Sequence, residues 1–528
     1  MSSRPVSCRL LAPLRPRGSW KYAIALSTCS IVILIFFTSH FARNGQLEWV
    51  LFPSEKAGVI GGDELGWNLT PSDSKGDVPI GVEGTCTPEE YAQGQWVRRP
   101  YWTRPGPLSR TNASDQSYYD LLHGAHGPEK MAAKEDILKF ARLEGCASGG
   151  EYIWNQLAAS KEEQWDRFPK ALDWEWVPGG RCTGGGGFRE WVVEDVLRDL
   201  VEGGGWLLVG DSITGNHFFS ISCLLYPHVV WRKEDSKERD ALQSLYLNAS
   251  SPLASGFQYP ADFNVTTTPL ISFKRVDLLW SIEDLVEMHR KHHPEFYVKN
   301  ETFKLFGSEP VWTISPDAYL DIFLGPAATA NYKAMVVSTA GHWTTNLFRG
   351  YHKTSGSDLA PAAASPSSPS ESFEDVEPLL GYDGLLVFFK EVMVRWAKAV
   401  QLRLDAHASL ESTAESAPQR QVLVRAYMAG HADCHKQREP FTEVKPVVNM
   451  WNWSEFWRYN RIWTDLLSPS TGSKPRPYEN VHFLDLDRPG ALRPDGHVAA
   501  DCLHIMTGSG VLEGWTHYIW HYVTKQIH

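Results

Sequence analysis

The chain has 528 residues, a formal net charge of −11 and 43% hydrophobic residues. That length is ample for one large domain or two smaller ones. With no basic cluster beyond its extreme N-terminus, the mildly acidic chain excludes nucleic acid as a partner, while 22 tryptophans suit a large core or a sugar-binding cleft.

Residues 1–21 carry Arg4, Arg9, Arg15, Arg17 and Lys21 and no acidic residue. From Tyr22 to about Ala42 the chain is apolar with small polar interruptions, long enough for a bilayer span of roughly 20 residues. The basic flank predicts a cytosolic N-terminus. No small-x-small cleavage site follows, which favours an uncleaved signal anchor over a cleaved signal peptide. Residues 43–85, rich in Gly, Pro, Ser and Asp, read as a stem. Sequons at Asn68, Asn112, Asn248, Asn264, Asn300 and Asn452 fit a lumenal domain. Six cysteines lie beyond the anchor: Cys86, Cys146, Cys182, Cys223, Cys434 and Cys502. In an oxidising compartment they permit three bridges in fifteen connectivities, with a buried free thiol as the alternative for Cys223.

Residues 86–187 hold scattered aromatics and Gly/Pro turns and predict an irregular N-terminal lobe. The run Gly184–Gly187 precedes Phe188-Arg189 rather than Gly-Lys-Ser/Thr, so it reads as a connector and not a phosphate loop. A helix is expected from about Glu190 to Val201, a strand ending at Gly210, and a helix from Ile213 to Leu225. Ala334–Ser338, Gln421–Ala426 and Val481–Leu486 read as core strands. Leu385–Leu404, Ser454–Leu467 and Val511–Val523 read as helices. Ser355–Ser372, dominated by Ser, Ala and Pro, reads as a disordered surface insertion. Strands alternating with helices predict an α/β fold with a mostly parallel sheet over residues 188–528. Ligands bind such folds beyond the carboxyl ends of the strands.

One such end is Trp206-Leu207-Leu208-Val209-Gly210-Asp211-Ser212, an apolar run stopping in a sharp turn. It places Ser212 at a helix N-terminus, where free N–H groups and the dipole favour developing negative charge. A serine hydroxyl needs a base to take its proton. Asp501-Cys502-Leu503-His504 supplies His504 as that base and Asp501 to orient it.

The order and setting of these residues resemble the SGNH/GDSL-like acyl esterases, and more closely the PC-esterase group with its trichome birefringence-like polysaccharide O-acetyltransferases and fungal relatives. Cys86 with Gly94-Gln95-Trp96-Val97, Trp174-Glu175-Trp176-Val177-Pro178 with Cys182, Gly341-His342-Trp343, and Arg493-Pro494-Asp495-Gly496-His497 are similar to further blocks of that group, in family order across residues 86–524. Ala340 stands where the group has Thr, Gly215 where the plant members have Arg, and Ile505-Met506 where Trp-Cys is common.

The resemblance implies an SGNH-like three-layer α/β/α sandwich, beside the irregular lobe and one N-terminal transmembrane helix. It further implies a Golgi-type, single-pass type II enzyme that O-acetylates polysaccharide or glycan hydroxyls through an acyl-serine. Neither metal nor bound cofactor is expected. An acetyl donor is required, and an acetyl-supplying membrane protein is a candidate partner. The rivals are an acyl esterase using the same triad and a non-catalytic glycan-binding protein.

Asn216, one helical turn after Ser212, is expected to donate to the oxyanion or fix the nucleophile loop. Gly341, His342 and Trp343 are expected at the substrate edge, His342 on sugar hydroxyls and Trp343 stacked on a pyranose; a buried turn with a satisfied histidine is the alternative. His431, Asp433, Cys434 and His435 could be drawn as a metal site, but a disulfide and a structural loop fit better. Arg493, Asp495 and His497 are expected to brace the triad segment.

Overall fold

The computed structural model describes residues 86–99, 130–133, 136–149, 162–183, 187–234, 241–298, 302–353, 378–411, 419–447, 451–467, 478–499 and 501–527. The tail, anchor and stem expected over 1–85, the insertion expected over 355–372, and the sequons at Asn68, Asn112 and Asn300 lie outside these residues. Among the described residues no helix is long and apolar enough to cross a membrane.

Among the described residues nine strands form two sheets. β1 (Gln95–Arg98) and β2 (Trp174–Val177) make an antiparallel ribbon in which Trp96 faces Trp176, their rings edge to face at 5.4 Å. The larger sheet takes β3 (Gly205–Gly210), β4 (Val229–Lys233), β5 (Gln243–Leu247), β6 (Ile271–Arg275), β7 (Tyr332–Ser338), β8 (Gln421–Arg425) and β9 (Val481–Leu484) in the order β4-β5-β6-β3-β7-β8-β9. From β6 to β9 all neighbours are parallel, while β4 and β5 add antiparallel at one edge. The mostly parallel α/β sheet read from the sequence is therefore present.

Every residue of β3 and of β8 is buried, so the sheet centre is covered on both faces. That accounts for their continuous apolar runs. Among the described residues six helices have ten residues or more: α1 (Val193–Glu202), α2 (Ser212–Leu224), α3 (Ile282–His292), α4 (Gly381–Glu411), α5 (Phe456–Leu467) and α6 (Val511–Lys525). In α2 every residue except Ser212 is buried, the polar Thr214, Asn216, His217, Ser220 and Ser222 included. α6 packs along it, with Thr516 Oγ1 2.9 Å from His217 Nε2 and Ser220 donating to Glu513 at 2.5 Å.

The N-terminal segments close on the C-terminal loops rather than standing apart. Trp96 donates to the Pro489 carbonyl at 2.9 Å, and Arg167, fully buried, donates to the carbonyls of Asp495 and His497 at 2.8 and 2.7 Å. The six cysteines of the described residues all pair, as Cys86–Cys182, Cys146–Cys223 and Cys434–Cys502. Cys223 is thus not a free thiol. It is held from outside α2, at a position where an apolar helix sequence gives no sign of its partner.

Peptide mapping of the unreduced protein will return these three pairs out of the fifteen possible. A Cys223 found free or joined to another cysteine contradicts the packing of the 136–149 segment against α2.

Candidate active site

The Gly-Asp-Ser turn has a local cause. Asp211 is extended (φ −84°, ψ −158°) and caps α2 by accepting the Ile213 N–H at 3.0 Å. Its second oxygen accepts the Tyr427 hydroxyl at 2.7 Å. Burial and the facing carboxylate hold that phenol well above its ordinary range, so it stays a donor. Ser212 is then the first helical residue, half-buried at the carboxyl edge of β3. Its own N–H belongs to the helix turn that lacks internal acceptors.

His504 reaches Ser212 from the other end of the chain. Its Nε2 lies 2.8 Å from Ser212 Oγ and its Nδ1 2.8 Å from Asp501 Oδ2. Asp501 also accepts the N–H groups of Leu503 and His504, at 2.9 and 2.8 Å, through its other oxygen. Burial alone would raise this carboxyl; the hydrogen bond and charge of His504 and the two N–H donors outweigh it and hold it at about 2. Asp501 is therefore ionised at neutral pH and fixes the imidazole with Nδ1 protonated and Nε2 facing the serine, the arrangement a triad needs. The structure thus brings together all three residues singled out as catalytic.

Asn216 has the bracing role: its Oδ1 accepts the Ile505 N–H at 2.9 Å. It ties the nucleophile helix to the residue after His504. Its Nδ2 is buried one helical turn after Ser212 and has no hydrogen-bond partner among the described residues, so the amide donor expected for the oxyanion is not spent elsewhere. Gly215, on the first turn of α2, sits against the Phe273 ring, where an added Cβ would lie 3.1 Å from the nearest atom. A guanidinium nevertheless stands at this edge. Arg275 ends β6 beside Gly210, stacks on Trp312 at 3.8 Å and donates to buried Asp277 at 3.1 Å.

The Gly341 turn does abut the site, but its three residues divide. A Cβ on Gly341 would lie 2.2 Å from the Tyr427 hydroxyl and 3.0 Å from Asp211 Oδ2, so only glycine lets this backbone reach the capping carboxylate. His342 is half-buried with Nε2 3.7 Å from Asp277 Oδ2. Burial raises the Asp277 carboxyl, with His342, Arg275 and the Trp312 N–H pulling it back down. Trp343, by contrast, is fully buried, donates to Thr339 and stacks on Phe348 at 4.6 Å. It is a core residue and cannot stack on a sugar, because the turn points its ring inward against Phe348 and Phe389.

Asn452 holds this turn. It is fully buried and donates to the carbonyls of Ala340 and Trp343 at 2.8 and 3.0 Å. In sequence Asn452 is marked only as a sequon. Tyr427 and the capping role of Asp211 were likewise missed. An Asp directly before an apolar helical run is a cap signal that could have found Asp211; nothing in the sequence singles out Tyr427.

The bracing set is as expected. Arg493, fully buried, donates to Asp495 at 2.8 Å and to the carbonyls of Ser509 and Ala171. His497 Nδ1 lies 3.1 Å from the His504 carbonyl, His497 Nε2 lies 2.6 Å from His431 Nδ1, and His431 Nε2 lies 2.8 Å from the Ala491 carbonyl. Burial pushes both rings below the ordinary histidine range, His497 further because His431 stands beside it. Neutral, the pair carries two ring protons for three contacts. Cys434, in the cluster that could be drawn as a metal site, is bonded to Cys502, with His435 Nδ1 3.2 Å from its sulfur. In the disulfide neither sulfur is a thiolate ligand.

No protein-family model matches the chain, and no curated protein matches it.

Two outcomes follow from this geometry. Asn216→Ala leaves the buried Ile505 N–H without an acceptor, a loss of about 1–3 kcal/mol readable by urea unfolding; no loss contradicts the clamp. Asp501 has a folded pKa of about 2 against an ordinary value near 3.9. Its contribution to stability is present above about pH 4 and lost as pH falls toward 2. Asp501→Asn will therefore flatten the fall in stability over that window; an unchanged pH–stability curve contradicts the assignment.

Proposed function

We propose that the chain is a lumenal, membrane-anchored O-acetyltransferase acting on polysaccharide or glycan hydroxyls. The observation that carries the chemistry is the Ser212–His504–Asp501 relay, with 2.8 Å at both links. The sheet topology supports the SGNH-like reading: five consecutive parallel strands, with the nucleophile on the turn after the central strand of the sheet. The motif blocks over residues 86–524 support transfer to a glycan, and residues 1–42 support a type II Golgi anchor.

In this mechanism Ser212 Oγ attacks the donor's acyl carbonyl while His504 Nε2 takes the serine proton. The oxyanion forms beside the Ser212 N–H at the start of α2, with the Gly341 turn closing the other side. Collapse expels the donor's leaving group, which takes the proton from His504, and leaves acetyl-Ser212. A glycan hydroxyl then attacks the acetyl carbonyl as His504 removes its proton. Collapse of the second tetrahedral species breaks the ester to Ser212, and His504 returns the proton to Oγ. Asp501 keeps the imidazole oriented and stabilises its charge throughout.

Esterase action uses the same residues with water as the second nucleophile. Water stands at roughly 55 M, so transfer requires a sugar held in near-attack geometry, where effective molarities reach about 10⁵ M. The test incubates the purified domain with an activated acetyl ester, with and without oligosaccharides, and follows acetylated sugar and free acetate by mass spectrometry. Acetylated sugar is expected. Free acetate alone with every acceptor, together with loss of esters from pre-acetylated glycans, makes the protein an esterase. Ser212→Ala and His504→Ala are each expected to cost several orders of magnitude in rate.

The lumenal reading carries its own outcome. Asn264 is exposed, and its Oδ1 accepts both the N–H and the hydroxyl of Thr266, at 2.8 and 2.7 Å, leaving its amide nitrogen outward. Asn452 spends its amide nitrogen on two buried carbonyls. Glycopeptide analysis of secretory-pathway protein will find Asn264 occupied and Asn452 bare; a glycan on Asn452 contradicts the burial of the Gly341 turn.

A further inference from the structure

With Trp343 in the core, the aromatic surface for a sugar must come from elsewhere at the carboxyl edge. Trp451 is the large exposed tryptophan among the described residues, 62% accessible. Its backbone is left-handed, with φ 55°. A bulky aromatic rarely takes that conformation, and it persists only where the surroundings impose it.

The surroundings are the two walls of the triad. On one side Asn452 is bonded to the Ala340–Trp343 turn that carries Gly341 and His342. On the other, Trp453 is buried against Gly430, where an added Cβ would lie 2.7 Å from the Trp453 ring and 2.6 Å from the Cys502 carbonyl. The next residue, His431, donates its N–H to that same Cys502 carbonyl at 2.9 Å, next to Asp501. The Trp451 carbonyl accepts the Tyr382 hydroxyl at 3.2 Å. The segment 451–453 therefore bridges the turn beside the nucleophile and the loop that carries the base. Its two neighbours point inward and its first residue is held outward.

We infer that Trp451 is a stacking platform for a neutral pyranose unit of the acceptor glycan, next along the chain from the unit presented to acetyl-Ser212. This deepens the acetyltransferase reading and rests on its glycan acceptor. An indole face attracts the weakly positive C–H groups of a pyranose face and covers apolar area that both partners otherwise expose to water. A platform at the rim suits a polymer, whose neighbouring units extend beyond the reacting hydroxyl. It binds without charge, in keeping with a strand end where Arg275 is already paired with Asp277.

The experiment uses the Ser212→Ala protein, so that binding is read without turnover. Binding of neutral xylo-, manno- and gluco-oligosaccharides is measured by saturation-transfer NMR and calorimetry. A Ser212→Ala/Trp451→Ala protein is expected to bind its best oligosaccharide about tenfold more weakly or worse. Ser212→Ala/Trp451→Phe is expected to recover most of the affinity, and melting temperature is expected to hold in both. Equal affinity with and without the indole overturns the proposal, and so does failure of the parent protein to bind any of the three series. The acetyltransferase reading fails separately. Oligosaccharide binding that depends on Trp451, in a wild-type protein that never cleaves an activated acetyl ester, leaves the platform standing and removes the enzyme.

Discussion

The site depends on one constraint: a helix that is otherwise wholly buried must leave its first residue accessible. α2 is packed by β3, β6 and α6 along its length, and only Ser212 escapes. What fixes the escape is Asp211, whose two oxygens answer to different elements. One caps the helix, and the other takes the hydroxyl of Tyr427 just past β8. The nucleophile's position is thereby set by the spacing of three parallel strands, β3, β7 and β8, rather than by a flexible loop. Held on rigid elements, the serine keeps the orientation that the proposed acyl transfer demands.

The base is held by a different strategy. His504 sits on an irregular segment, and irregular segments drift unless their polar groups are fixed. Asp501 folds the segment onto itself through two N–H groups, Asn216 pins Ile505 to the nucleophile helix, and the Cys434–Cys502 disulfide joins it to the loop after β8. Behind it lie Arg493, Asp495 and the His431–His497 pair, all largely removed from water. Burying so much polarity is costly unless each group is paired, and the N-terminal segments contribute to that pairing through Arg167 and the Ala171 carbonyl. The described residues of the irregular lobe thus have a task beside the site.

Which parts were legible follows from these forces. β3, β7, β8 and β9 announce themselves because a strand covered on both faces must be apolar at nearly every position. β4 and β5 do not: Trp231-Arg232-Lys233 and Gln243-Ser244 belong to an edge hairpin, and β6 ends in Lys274-Arg275, so none offers a clean run. α4 runs past Leu404 to Glu411 although Leu410 is 80% exposed, because an established helix propagates cheaply beyond its packed face. The triad was legible because its chemistry restricts residue types. Its supports were not: Tyr427 to Asp211 and Asn452 to Ala340 are contacts across more than a hundred residues, and no local pattern encodes them. Trp343 was misplaced for a related reason. Sequence places it at the strand end, but the direction of its ring is decided by Phe348, Phe389 and the Tyr459 hydroxyl on its carbonyl.

The central claim is that Ser212 is an activated nucleophile rather than a helix-start serine. A fluorophosphonate probe tests this directly, since it forms a stable adduct with a serine whose proton is taken by a neighbouring base and with little else. Incubation of the intact protein at neutral pH, followed by peptide mass spectrometry, is predicted to place one adduct on Ser212, and to lose it in His504→Ala. No adduct on the folded wild-type protein, or an adduct that persists without His504, would contradict the account.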